Sequence, residues 1–170
     1  MTETQQNASD NLNIISCPIV LVGLMGAGKS TVGRRLAATL GVNFIDSDIE
    51  ITEAAGCSIS DIFESYGEPI FRDLEQRVIL RLMMGEPSVI ATGGGAFIQP
   101  AIRNAIADKA ISVWLKADLP ILLERVSRRD NRPLLKTGDK GEILQKLIDE
   151  RYPIYAQANI TIDSNNGSHE

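Results

Sequence analysis

The stretch that most restricts the fold is Gly23-Leu-Met-Gly-Ala-Gly28-Lys29-Ser30-Thr31, a G-x-x-x-x-G-K-S spacing set between two different periodicities. The apolar run Pro18–Val22 precedes it, and after it Val32, Leu36 and Leu40 recur every fourth residue. This reads as strand, glycine-rich turn, helix. Glycines let the backbone curl until successive N–H groups converge on an anion, and the helix N-terminus behind them adds partial positive charge. Lys29 has the reach for β- and γ-phosphates, and the Ser30 hydroxyl suits Mg²⁺. A nucleoside-triphosphate site at the end of a strand is the reading, and with it an α/β fold.

A chain of 170 residues with 44% hydrophobic and 23% charged residues fits one soluble α/β domain. No apolar run approaches the roughly 20 residues that a membrane span needs. Met1 to Asn13 are polar, without the basic start and apolar centre of a signal peptide, so a tail and a cytoplasmic location are expected. A net charge of −5 argues against general nucleic-acid binding. Positive charge is nevertheless concentrated at Arg125, Arg128, Arg129, Arg132 and Lys136. The single histidine, His169, lies in a polar tail, so a general base has to be a carboxylate. Cys17, expected in the first strand, and Cys57 lack metal-type spacing and read as free thiols.

Along the chain, the first helix runs from about Lys29 to Leu40 and stops at Gly41. Val42–Ile45 reads as a second strand ending in Asp46-Ser47-Asp48. Residues two apart on a strand face the same way, so both carboxylates are expected to project from its C-terminal end, where ligands bind in open parallel sheets. Asp46 there suits Mg²⁺ and Asp48 an acceptor; the bland alternative makes Asp48 an N-cap for a helix from Ile49 to Ala55. Three helical pieces are expected over residues 49–84, with a capping box at Ser58–Asp61 and a core stripe at Phe71, Leu74, Val78 and Leu82. Arg72 is then either a surface partner of Glu75 or Glu68, or a clamp for a carboxylate or phosphate.

Ser88–Thr92 reads as the third strand and runs into Gly93-Gly94-Gly95, where three glycines allow a close approach of ligand or backbone. Pro100 opens a helix faced by Ile102 and Ile106, Ile111–Leu115 is a fourth strand, and Asp118 caps the helix that follows. From Arg128 to about Gly141 the chain is polar and carries Pro133 and Gly138, which suggests an arginine-bearing lid. Glu142–Ala158 reads as a helix kinked at Pro153, which re-aims Arg151, and Ile160–Asp163 as a short fifth strand.

These residues together resemble the shikimate kinase family, within the nucleoside-monophosphate-kinase-like group of P-loop enzymes. The resemblance runs from about Ile14 to Asp163. It rests on Gly26–Thr31, Asp46-Ser47-Asp48, Phe71-Arg72 with Glu75, Gly93–Gly95, Arg132-Pro133-Leu134 and Arg151-Tyr152-Pro153. It implies a three-layer α/β/α sandwich around a five-stranded parallel sheet of order 2-3-1-4-5. It further implies tails at 1–13 and 164–170, a single kinase domain at 14–163, a shikimate subdomain at about 46–77 and a lid at about 127–140. The implied reaction converts ATP and shikimate into ADP and shikimate 3-phosphate. By the same match, Asp48 holds the acceptor hydroxyl, Arg72 and Arg151 hold the carboxylate, and Gly93, Gly94 and Gly95 line the substrate. Gly26, Ala27, Gly28, Lys29, Ser30 and Thr31 hold ATP, Lys29 and Arg132 balance phosphate charge, Ser30 and Asp46 serve Mg²⁺, and Arg125 stacks on adenine. Partners beyond shikimate are not expected: neither nucleic acid nor membrane, and a monomer.

The family often carries a basic or proline-containing adenine loop after the last strand, whereas here Asp163-Ser-Asn-Asn166 leads straight to the chain end. Other readings fit less of the chain. A gluconate or nucleotide kinase would not explain the second aspartate, the triple glycine and Arg151 together. A GTPase switch would need an N-K-x-D guanine reader, which is absent.

Overall fold

The computed structural model describes residues 15–128 and 138–165. Five parallel strands form one sheet in the order β2-β3-β1-β4-β5: β1 Ile19–Val22, β2 Asn43–Asp46, β3 Ser88–Ala91, β4 Ile111–Lys116 and β5 Ile160–Asp163. The central strands β1 and β3 are apolar apart from Ser88 and almost entirely buried, as parallel strands covered on both faces must be. Helices flank the sheet: α1 Lys29–Leu40, α2 Ser47–Ala55, α3 Ile59–Tyr66, α4 Glu68–Met83, α5 Pro100–Lys109, α6 Leu119–Ser127 and α7 Lys140–Tyr155. The order and layering agree with the expectation. A main core centres on Val20, Leu21, Ile90, Leu115 and Leu122. Ile51, Ile62, Phe71 and Val78 make a second, smaller cluster among α2, α3 and α4.

Several boundaries differ from the sequence reading, each for a local reason. Cys17 lies in a bend before β1, and both cysteines are free. Thr92 falls outside β3, yet its N–H and its hydroxyl both donate to the Leu21 carbonyl, so the strand's end stays pinned to β1. Asp48 is neither a strand residue nor an N-cap. Asp46 caps α2 by accepting from the Asp48 N–H, which places Asp48 within the helix's first turn, where the dipole favours an anion. Gly67 sits between α3 and α4, and the Ser58–Asp61 capping box is formed in full. Pro153 lies inside α7, which continues through it to Tyr155. Among the described residues no helix is long and apolar enough to cross a membrane. Most of the expected lid, Arg132, Pro133 and Leu134 included, and the expected 1–13 tail lie outside the described residues, as does His169.

Candidate active site

At the C-terminal end of β1 the chain leaves the sheet and re-enters as α1. Gly28, the N-cap of α1, has φ 95°, a left-handed conformation that a side chain would strain. Lys29 curls back over the loop, its ammonium donating to the carbonyls of Gly23 at 2.7 Å and Leu24 at 2.8 Å. Across the loop, Arg125 of α6 donates to the Gly26 carbonyl at 3.2 Å and, on the other side, to the Ser164 carbonyl at 2.7 Å. The Ser164 hydroxyl in turn donates to Ala27 at 2.7 Å. The edges of the Arg125 guanidinium are thus engaged by backbone and hydroxyl oxygens.

Ser30, in the first turn of α1, donates to Asp46 Oδ2 at 3.2 Å. A hydroxyl and a carboxylate oxygen so placed, beside a phosphate loop, fit Mg²⁺, which takes one or two protein oxygens and fills its shell with phosphate and water. Few protein ligands are needed, consistent with the lack of any cluster of three or more acidic, His or Cys ligands among the described residues.

The loop opens into a cleft of about 890 Å³ that is continuous with the rest of the expected site: Asp48, Arg72, Gly93, Gly94, Gly95 and Arg151 all line it. These groups come from separate elements. Asp48 belongs to α2, Arg72 to α4, the glycines to the turn after β3, and Arg151 to α7. None of the three glycines has a positive φ. Their value is the missing side chain. A Cβ on Gly95 would stand 2.3 Å from a guanidinium nitrogen of Arg72, one on Gly94 3.3 Å from Arg151, and one on Gly93 3.0 Å from Asp48 Oδ1. Charged side chains therefore lie directly on bare backbone.

Arg72 proves to be both surface partner and cleft residue. It pairs with exposed Glu68 at 3.2 Å and with Glu75 at 2.8 Å, its own side chain 21% exposed. Glu75 is 1% exposed, and burial raises its pKa; Arg72 opposes that shift and the nearby charge of Asp48 adds to it. Its Oε1 also accepts from Gln99 at 2.7 Å. Tyr155, fully buried, donates its hydroxyl to the Gly94 carbonyl and accepts a hydrogen bond from Arg151. Burial pushes its pKa up to about 12, so the hydroxyl keeps its proton for Gly94 at neutral pH.

Of the described residues that the sequence assigns to the site, all but Ala27 line the cleft; Ala27, in the same loop, is buried, and Arg132 lies outside the described segments. The sequence reading makes Glu75 only a surface partner of Arg72, whereas it is buried, and gives Gln99, Tyr155 and Ser164 no role. Glu75 had a readable signal, an acid on the buried side of α4 between Phe71 and Val78. Tyr155 had a weaker one, one helical turn after Arg151. Gln99 and Ser164 had none, since their partners are distant in sequence.

Comparisons with known proteins point to one family. A family model described as shikimate kinase matches residues 25–170. A shikimate kinase of Paramagnetospirillum magneticum is 59% identical over 146 residues, covering 86% of this chain and 75% of its own. A shikimate kinase of Rhodopseudomonas palustris is 56% identical over 153 residues, with 90% and 75% covered. Among solved structures, shikimate kinase from Acinetobacter baumannii in complex with shikimate superposes with a TM-score of 0.87 at 42% identity, covering 91% of this chain and 87% of that one.

Proposed function

Because this chain belongs to the shikimate kinase family, we propose that its cleft brings shikimate and ATP together for transfer of a phosphoryl group to the 3-hydroxyl. The products are shikimate 3-phosphate and ADP, a step towards the aromatic amino acids. One observation carries the reading: the phosphate loop and the Asp48–Arg72–Arg151 set face a single cleft.

Each residue's work follows from its chemistry. The Gly26–Thr31 loop cradles the β- and γ-phosphates with backbone N–H groups. Lys29, which lines the cleft, balances charge on the transferred group, and Arg132 is the second such cation by family resemblance. Arg125 offers its face to adenine. Ser30 and Asp46 would hold Mg²⁺, which would supply positive charge to offset that of the phosphates.

At the other end, Arg72 and Arg151 bind the carboxylate of shikimate through charged hydrogen bonds, with Gly93, Gly94 and Gly95 keeping the floor low enough for a ring to lie against backbone. Asp48 orients the 3-hydroxyl and takes its proton as the oxygen bonds to the γ-phosphorus and the bond to ADP breaks. Positioning and charge balance supply most of the effect in such a transfer. The shikimate subdomain is assigned to about 46–77, where α2, α3 and the start of α4 share their own apolar cluster. We read the protein as a cytoplasmic monomer acting on a small molecule, with neither nucleic acid nor membrane as partner.

The test is the release of ADP from MgATP with shikimate, with gluconate and with no acceptor, in the wild-type chain and in Asp48→Asn. Turnover should depend on shikimate and fall by about 10²–10⁴ in the variant, with nucleotide binding kept. Wild-type-like turnover in Asp48→Asn would remove the base; turnover with gluconate alone would change the substrate.

A further inference from the structure

We propose that Gln99 is a positioning residue for Arg72, acting through Glu75 to keep the guanidinium turned into the cleft. The inference rests on the reading of Arg72 as a carboxylate-binding group.

Gln99 occupies the N-cap of α5, where a short polar side chain ordinarily satisfies the first N–H groups. Its amide makes no such cap. It reaches instead to Glu75 of α4, 24 residues away in sequence, at 2.7 Å. The backbone that carries it is well anchored. The Ala96 N–H donates to the Gly93 carbonyl at 3.2 Å, the Gln99 N–H to Ala96 at 3.1 Å, and Arg103 N–H to Gln99 at 3.1 Å. Gln99 is therefore a fixed post at the far end of the triple-glycine turn.

Arg72 has two carboxylates competing for it. Glu68, 59% exposed, draws the guanidinium out towards solvent; Glu75, 1% exposed, draws it in over Gly95. The inner partner wins only while Glu75 is ionised and correctly turned, and its burial works against ionisation. The Gln99 N–H bonds the same Oε1 that receives Arg72, which stabilises the charge and fixes that oxygen's direction. An amide suits this place because it is neutral. A lysine there would hold Glu75 as well, but would add a cation to compete for the substrate's carboxylate.

A double-mutant cycle on the full chain tests this, with shikimate and MgATP varied separately. Gln99→Leu should raise the shikimate KM about five- to tenfold and leave kcat and the ATP KM within twofold. In an Arg72→Ala background the same change should alter the shikimate KM by less than twofold, because the group being positioned is gone. Gln99→Met, unbranched and of similar length, should behave alike should leucine disturb the packing. A shikimate KM within twofold of wild type in both single variants, or an equal rise in both backgrounds, overturns the proposal while leaving the role of Arg72 intact. An unchanged KM in Arg72→Ala alone overturns the carboxylate reading, and the role of Gln99 falls with it.

Discussion

At the nucleotide end of the cleft most facing groups come from one short run, Gly26, Gly28, Lys29, Ser30 and Thr31, joined by Asp46 and Arg125, whereas at the acid end they come from α2, α4, the turn after β3 and α7. Even the glycines differ in what they do. Gly28 is needed for its left-handed φ of 95°, while Gly93, Gly94 and Gly95 adopt ordinary φ and are needed for the space above them. Backbone N–H groups recognise phosphate, so a single local conformation is sufficient there. A carboxylate and a hydroxyl are recognised by long charged side chains, whose rotamers have to be set by further buried residues. One end is a local structure; the other is a tertiary one.

Gly95→Ala probes that difference most sharply. The added Cβ would meet the Arg72 guanidinium at 2.3 Å, and the guanidinium is the movable end of a flexible side chain with Glu68 as an alternative partner. Arg72 should swing out and the fold should survive. Steady-state assays are expected to show kcat/KM for shikimate reduced about 10- to 100-fold, the loss of one charged hydrogen-bonded contact, with the ATP KM unchanged. A fall in thermal stability with kinetics intact would make Gly95 a packing glycine instead.

The matching substitution at the nucleotide end is Gly33→Ala on α1. Its Cβ would meet Phe44 Cε2 at 2.5 Å and Leu21 Cδ1 at 3.0 Å, so α1 would have to move off the sheet. Overpacking of this kind costs about 1–3 kcal/mol, offset by roughly 1 kcal/mol of better helix propensity. Denaturant unfolding should therefore report a net loss of roughly 0–2 kcal/mol, with shikimate KM untouched. A variant more stable than wild type would show that the helix–sheet spacing has slack.

The contrast also explains what the sequence discloses. The sheet order, the phosphate loop and Asp46, Asp48, Arg72 and Arg151 follow from residue pattern and family resemblance, because each belongs to a short stretch with its own signature. The placement of Asp48 does not follow. Alternation along a strand put it beside Asp46, but the Asp46 carboxylate caps α2 and so ends the strand one residue before Asp48's helical turn begins. Gln99 and Ser164 could not be read at all, since their partners Glu75, Arg125 and Ala27 lie 24, 39 and 137 residues away. Local chemistry leaves a local trace; long-range positioning leaves none in a single sequence.

The smallest expected effect is the most diagnostic of a tertiary site, and it concerns Glu75. Burial is the largest influence on its carboxyl and raises the pKa above the ordinary 4.5, outweighing the Arg72 guanidinium. A raised folded-state pKa means that the fold favours the protonated form. The associated stability is complete below pH 4.5 and is lost as the pH rises through the folded-state value, so at neutral pH the ionised Glu75 costs the fold stability. Glu75→Gln removes that cost while keeping one carbonyl acceptor for Arg72 or Gln99. Its thermal midpoint at pH 7 should equal or exceed that of wild type by a degree or two, and the gap should close as the pH approaches 4.5. Shikimate KM should nevertheless rise about tenfold, because a neutral amide no longer outcompetes Glu68 for the guanidinium. A midpoint several degrees lower at pH 7 would mean that the Glu75–Arg72 pair contributes more to the fold than its burial takes away. The acid end would then owe its arrangement to stability and not to the substrate.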